Sequence, residues 1–148
     1  MPQRPDIELL ERVRAAVHEL VTSYPAGKAH CRYADVRIEV SEGKVALAEN
    51  GMDKFSAEDY GLSFGVRAIA GEKVAAAGYF GQQLGARDVP QLLERLREGL
   101  DHAYERALWN ARQKAAARDE FPDLGASLYD LSLAPIEART DTVPARYE

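Results

Sequence analysis

The chain has one cysteine, three histidines and one tryptophan in 148 residues. A lone cysteine, Cys31, allows no internal disulfide, which fits a reducing compartment. As a catalytic thiol it would need a histidine beside it. Its neighbour His30 would point to the other face of a strand, so Cys31 reads as a structural residue. The histidines His18, His30 and His102 fall on three different elements. His18-Glu19 opens like the zinc motif H-E-x-x-H, but Thr22 and Ser23 stand where a second histidine would have to be, one turn on. Neither a Ser/His/Asp spacing nor a distinctive carboxylate pair is present, so no catalytic residue can be named.

Long apolar runs are missing too. Nothing approaches the ~20 residues of a membrane span. The N-terminus, MPQRPDIELLERVR, is charged and lacks the apolar core of a signal peptide. The expectation is a cytoplasmic protein with no membrane partner. Positive charge is in deficit: the net charge is −5 and the pI about 5.3. Arg112, Lys114 and Arg118 form the nearest thing to a basic stripe, but Asp119 and Glu120 follow them, so they read as a solvated helix face. Nucleic acid is therefore not an expected partner.

The composition that remains, 46% hydrophobic and 29% charged, suffices for one ordinary domain with a real core. Residues 6–24 carry a helical stripe of Leu10, Val13, Val17, Leu20, Val21 and Tyr24, with Asp6 as N-cap and Pro25 and Gly27 ending it. Residues 33–40 alternate: Ala34, Val36, Ile38 and Val40 face one way, Tyr33, Asp35, Arg37 and Glu39 the other. Ser41-Glu42-Gly43 reads as a turn, with 44–50 returning and 51–58 a polar connection. Leu62, Phe64, Val66 and Ala68 alternate next. Gly71-Glu72 turns the chain, and Val74, Ala76, Gly78 and Phe80 bring it back as a second hairpin. Residues 88–117 predict a long helix, with Asp88 and Gln91 as a capping box, Pro90 in the first turn, and a stripe of Leu93, Leu96, Leu100, Ala103, Ala107 and Ala111. SLYDLSL (127–133) reads as a short strand, and the rest of 123–148 as a linker. The fold class predicted is α+β: two antiparallel hairpins in one sheet, with an N-terminal and a long C-terminal helix packed on one face. Residues 1–122 form the domain.

The glycines of GLSFGVRAIAGEKVAAAGYF (61–80) have two readings. A phosphate loop needs G-x-x-x-x-G-K-[ST] between strand and helix. Here Glu72 intrudes before Lys73 and a strand follows. The G-x-G-x-x-G spacing is absent as well. Gly61, Gly65 and Gly78 are instead expected to let a backbone or helix come close to the sheet. Arg67, among these glycines, suits a carboxylate or a partner's backbone, or a plain ion pair with an acid on the next strand. Tyr79, Phe80, Gln82 and Gln83 suit peptide recognition at a sheet edge, or a seat for a helix. These five residues are the candidate contacts for substrate or partner; no metal ligand is expected.

The strand Ala34-Asp35-Val36-Arg37-Ile38-Glu39, a charged turn, the strand from Gly61 to Gly65-Val66-Arg67, the return Gly78-Tyr79-Phe80 and the helix DVPQLLERLREGLDHAYERA together resemble the N-terminal domain of the TldD/PmbA family. The resemblance covers roughly residues 30–117. It departs at Gly81-Gln82-Gln83, where small hydroxyl residues are common in the family. These proteins are zinc metallopeptidases, also called modulators of DNA gyrase. Their zinc sits on an H-E-x-x-x-H helix of a C-terminal domain, and nothing in this chain matches that motif. The resemblance implies a non-catalytic domain, inactive alone, that has no cofactor of its own. Its implied partners are its own C-terminal domain, a like or related subunit in a dimer, and an extended peptide substrate. Two other readings stay open: a stand-alone regulatory interaction module, and a small-molecule binder with its site between sheet and long helix.

Overall fold

A computed structural model describes residues 5–121; the expected strand at 127–133 and the linker lie outside the described residues. The first helix, α1 (Ile7–Ser23), starts where Asp6 Oδ1 accepts a hydrogen bond from the Leu9 N–H at 2.9 Å. It ends where the Thr22 and Ser23 hydroxyls turn back to the carbonyls of His18 and Glu19, followed by a 3₁₀ turn at Pro25–Gly27.

Three strands follow, in the order β1-β2-β3, all antiparallel: β1 (Cys31–Glu49), β2 (Met52–Ala70) and β3 (Ala76–Leu84). The fold is α+β, but the turn expected at Ser41-Glu42-Gly43 and the polar connection at 51–58 are both strand. Ser41 pairs with Gly61 and Gly43 with Asp59. The chain reverses at Asn50-Gly51 instead, with φ of 54° and 73°. Two consecutive positive-φ residues make the type I′ loop, whose twist matches that of the flanking strands, and Asn-Gly is the dipeptide that tolerates it best. Gly43 has no such φ and continues the strand.

β3 pairs only with Leu62–Ala70 of β2. Beyond that point, among the described residues, β1 and β2 continue as a two-stranded arm, from about Ser41 and Gly61 to the Asn50-Gly51 tip. The side-chain pattern changes along it. Near the base, Ala34, Val36 and Ile38 on β1, and Leu62, Phe64, Val66 and Ala68 on β2, face the helices. On the arm that face carries Glu42, Lys44, Glu58 and Tyr60, while Val45, Leu47, Phe55 and Ala57 occupy the opposite face. The apolar side of the ribbon thus swaps across Ser41–Gly43, which is why the sequence pattern breaks there without a turn.

The long helix α2 (Leu92–Glu120) lies across β2 and β3. It begins four residues later than the spacing predicts, because Ala86–Gln91 forms a 3₁₀ turn first. Asp88 does cap, but it accepts from the Gly85 N–H at 2.7 Å, and Pro90 sits in the 3₁₀ turn. The helix buries Leu92, Leu96, Gly99, Leu100, Ala103, Ala107 and Ala111, while Leu93 is only half-buried. The α1 stripe Leu10, Val13, Val17, Leu20 and Val21 packs against the same core from the same side of the sheet.

Of the three glycines expected to admit a backbone or helix, Gly78 does so, whereas Gly65 faces open space and Gly61 faces the Ser41 side chain, both on the side of the sheet away from the helices. A Cβ on Gly78 would lie 2.0 Å from the Ala103 carbonyl oxygen and 2.4 Å from the Ala107 nitrogen. The helix backbone therefore rests directly on the β3 backbone, facing the small side chains of Ala103 and Ala107.

Candidate functional site

The period-2 rule splits the five candidate residues between the two faces of the sheet. Arg67, Tyr79 and Gln83 lie on the face away from the helices, where Arg67 is directly opposite Tyr79, and Gln83 opposite Ser63. Phe80 and Gln82 lie on the helix side, opposite Val66 and Phe64. Phe80 is a packing residue: its ring is tilted on Phe64 at 6.3 Å between centroids and stacks on His102 at 5.0 Å. A Cβ on Gly99 would meet Phe64 and Phe80 at 2.9 and 3.1 Å, so these rings fill the space left by that glycine. Gln82 is exposed.

Arg67 is held on the central strand between two aromatic neighbours and one acid. Its Nε donates to Asp35 Oδ2 at 2.7 Å, and its Nη2 lies against the same oxygen. The guanidinium carbon is 5.4 Å from the centre of the Tyr33 ring. Partial burial works against the charge, but the hydrogen bond and attraction to Asp35, with Tyr33 and Tyr79 adding, outweigh it and raise the guanidinium pKa. Burial first, and then Asp35, push the Tyr33 phenol up. The ion pair with a neighbouring strand is thus present. Of the five guanidinium N–H donors, Asp35 takes only those on its side, and the side chain is still 40% exposed. The nearby glycines leave room: a Cβ on Gly65 would meet nothing within 4 Å. The result is a shallow polar strip of Asp35, Arg67 and Tyr79 over a bare backbone.

A second polar group was not visible in the sequence. The Tyr24 hydroxyl donates to Asp101 Oδ1 at 2.6 Å, and Lys28 Nζ lies 2.8 Å from the same oxygen. Lys28 also sits over the rings of Tyr24 and Tyr104, at 5.5 and 5.7 Å. The Tyr104 hydroxyl donates to the Ala29 carbonyl at 2.8 Å. Burial, and then the bond to Asp101, raise the Tyr24 pKa. Burial alone would raise Asp101, but Lys28 and Tyr24 hold it below its usual 3.8. Asp101 in turn raises Lys28. The group ties the end of α1 to the middle of α2. Tyr24 and Asp101 are separated by 77 residues, and no periodicity marks such a pair.

Cys31 is half-buried with its Sγ 3.7 Å from the Tyr33 carbonyl oxygen; burial raises the thiol pKa and keeps it protonated. Among the described residues, no group of three or more His, Cys, Asp and Glu could hold a metal ion, and no helix is long and apolar enough to cross a membrane. Compared with protein-family models, curated proteins and solved structures, the chain matches none.

Proposed function

We propose that this chain is the non-catalytic N-terminal domain of a TldD/PmbA-type zinc metallopeptidase, contributing dimerisation and enclosure of an extended peptide. The observation that carries the reading is the strip formed by Asp35, Arg67 and Tyr79 beside Gly65 and Gly81, on a sheet face that the helices leave uncovered. An extended peptide lying there would meet a cation and a phenol, groups that recognise peptide carbonyls and carboxylates, over glycines that leave room for it. In this reading the zinc belongs to the family's C-terminal domain, and no step of the chemistry runs through residues of this chain. The location that goes with the proposal is the cytoplasm.

The exposed apolar face of the arm favours a second reading, a stand-alone interaction module without hydrolysis. The test uses the complete gene product, assayed on a reduced, unfolded polypeptide with and without a chelator, wild type beside Arg67→Ala. The proposal predicts chelator-sensitive proteolysis that Arg67→Ala impairs with folding intact. Unchanged turnover removes Arg67 from the surface that meets substrate. No proteolysis by either protein leaves the interaction module.

A further inference from the structure

Among the described residues, β1 has a strand on one side only, and it is 19 residues long. Such an edge is a template for pairing, and proteins usually blunt it with proline, bulges, short length or charged side chains, so a partner must match the charges it carries. β1 contains no proline, and its register on β2 shifts between Cys31 and Tyr33 and again between Leu47 and Ala48. Its charges from Asp35 onward are of both signs: Asp35, Arg37, Glu39, Glu42, Lys44 and Glu49. A strand of mixed sign can set unlike charges opposite one another in an antiparallel copy of itself.

We propose that this edge of β1 pairs antiparallel with the same edge of a second copy of the chain, about a two-fold axis at Gly43. The register follows from charge. With the axis at Gly43, Glu42 faces Lys44 of the second copy and Arg37 faces its Glu49, each pair occurring twice by symmetry. Val40 then faces Ala46, and Ile38 faces Ala48, so the helix side of the joint is apolar where it is not ion-paired. Moving the axis to Lys44 sets Lys44 against itself and Glu39 against Glu49. Moving it to Glu42 sets Glu42 against itself and Asp35 against Glu49. Like charges directly opposite are destabilising, so both neighbouring registers are penalised. The side chains concerned are exposed, and their existing partners, Glu39 for Arg37 and both Glu42 and Glu58 for Lys44, are surface pairs that can be shared.

The proposal deepens the dimerisation half of the proposed function and rests on it, yet its readout involves neither zinc nor hydrolysis.

The experiment places Gly43→Cys in a Cys31→Ser background. A Cβ at 43 meets only Asp59, no closer than 3.8 Å, so the substitution fits the strand. Facing residues of an antiparallel pair have Cα atoms about 4.5–5.5 Å apart, inside the range a disulfide spans. Val45→Cys in the same background is the comparison, because its two thiols would sit four residues out of step, about 13 Å apart. The expected result is a dimer by sedimentation equilibrium, with Gly43→Cys oxidising to a covalent dimer at least about ten-fold faster than Val45→Cys. Lys44→Glu alone should abolish the dimer. A monomer at every concentration, equal cross-linking of the two variants, or a dimer unaffected by Lys44→Glu overturns the proposal. So does protection of β1 amides by an added extended peptide with no self-association, which would give the edge to substrate.

Discussion

Adding one methyl group at Gly78 separates a packing glycine from a spare one. The new Cβ would lie 2.0 Å from Ala103 O and 2.4 Å from Ala107 N, the two ends of one turn of α2. Both are backbone atoms inside a helix and neither can swing aside, so α2 must retreat by roughly 1 Å. A gap of that size forfeits a quarter to a half of the dispersion attraction of every contact along it. Leu100, Ala103 and Ala107, all at 0% exposure, share that interface. The expected cost of Gly78→Ala is about 3 kcal/mol, the upper end for over-packing. Gly65→Ala, on the opposite face of the neighbouring strand, meets nothing within 4 Å. Removing a glycine from an ordinary extended position should leave stability unchanged or raise it by up to about 1 kcal/mol. Urea unfolding followed by far-UV circular dichroism measures both. If Gly78→Ala stays within about 0.5 kcal/mol of wild type, or if the two variants fall together, the direct helix-on-strand contact is wrong.

Phe64, 3% exposed and in contact with Phe80, should cost about 3–5 kcal/mol when changed to alanine, read from the same unfolding curves. Tyr24→Phe should cost about 2 kcal/mol by removing the hydrogen bond to a charged carboxylate, and a shift near zero would show that the clasp contributes nothing. The clasp also sets a pH window. Asp101 is held below 3.8, so its contribution is present above that value and lost as pH falls through the lowered pKa. Tyr24 and Lys28 are raised above 10.0 and 10.5, so theirs is present below those values and lost as pH rises beyond them. Thermal melts across pH should show the alkaline loss diminished in Tyr24→Phe, and an identical alkaline limb would contradict the assignment. Gly51→Val should weaken the arm selectively, because a β-branched residue resists φ of 73°; amide exchange should speed up at 45–57 before it does at 62–70.

Both helices and the base of the sheet were legible because each has a single partner and therefore a single period. The stripe from Leu10 to Val21 and the alternation from Leu62 to Ala68 each bury one face against the same core. The arm was misread because its period never stops but its apolar side swaps, from Val40 on one face to Val45 and Leu47 on the other. A break in phase looks like a turn when the strands are assumed to have one buried face throughout. The sequence did hold the contrary signal, Asn50-Gly51, whose positive φ values fix the reversal. For the candidate site, alternation alone could have parted Arg67, Tyr79 and Gln83 from Phe80 and Gln82. The pairing of Arg67 with Asp35 needed the register of β1 on β2, and the Tyr24–Lys28–Asp101 clasp needed the tertiary fold.

The measurement that tests the central claim most directly is the intact mass of the natural product in its source cell, taken together with its zinc content. The account predicts a product several-fold larger than 16.3 kDa that carries zinc and degrades unfolded polypeptide, with this chain as one of its domains. A product of 16.3 kDa, free of zinc and inert toward unfolded polypeptide, would contradict it.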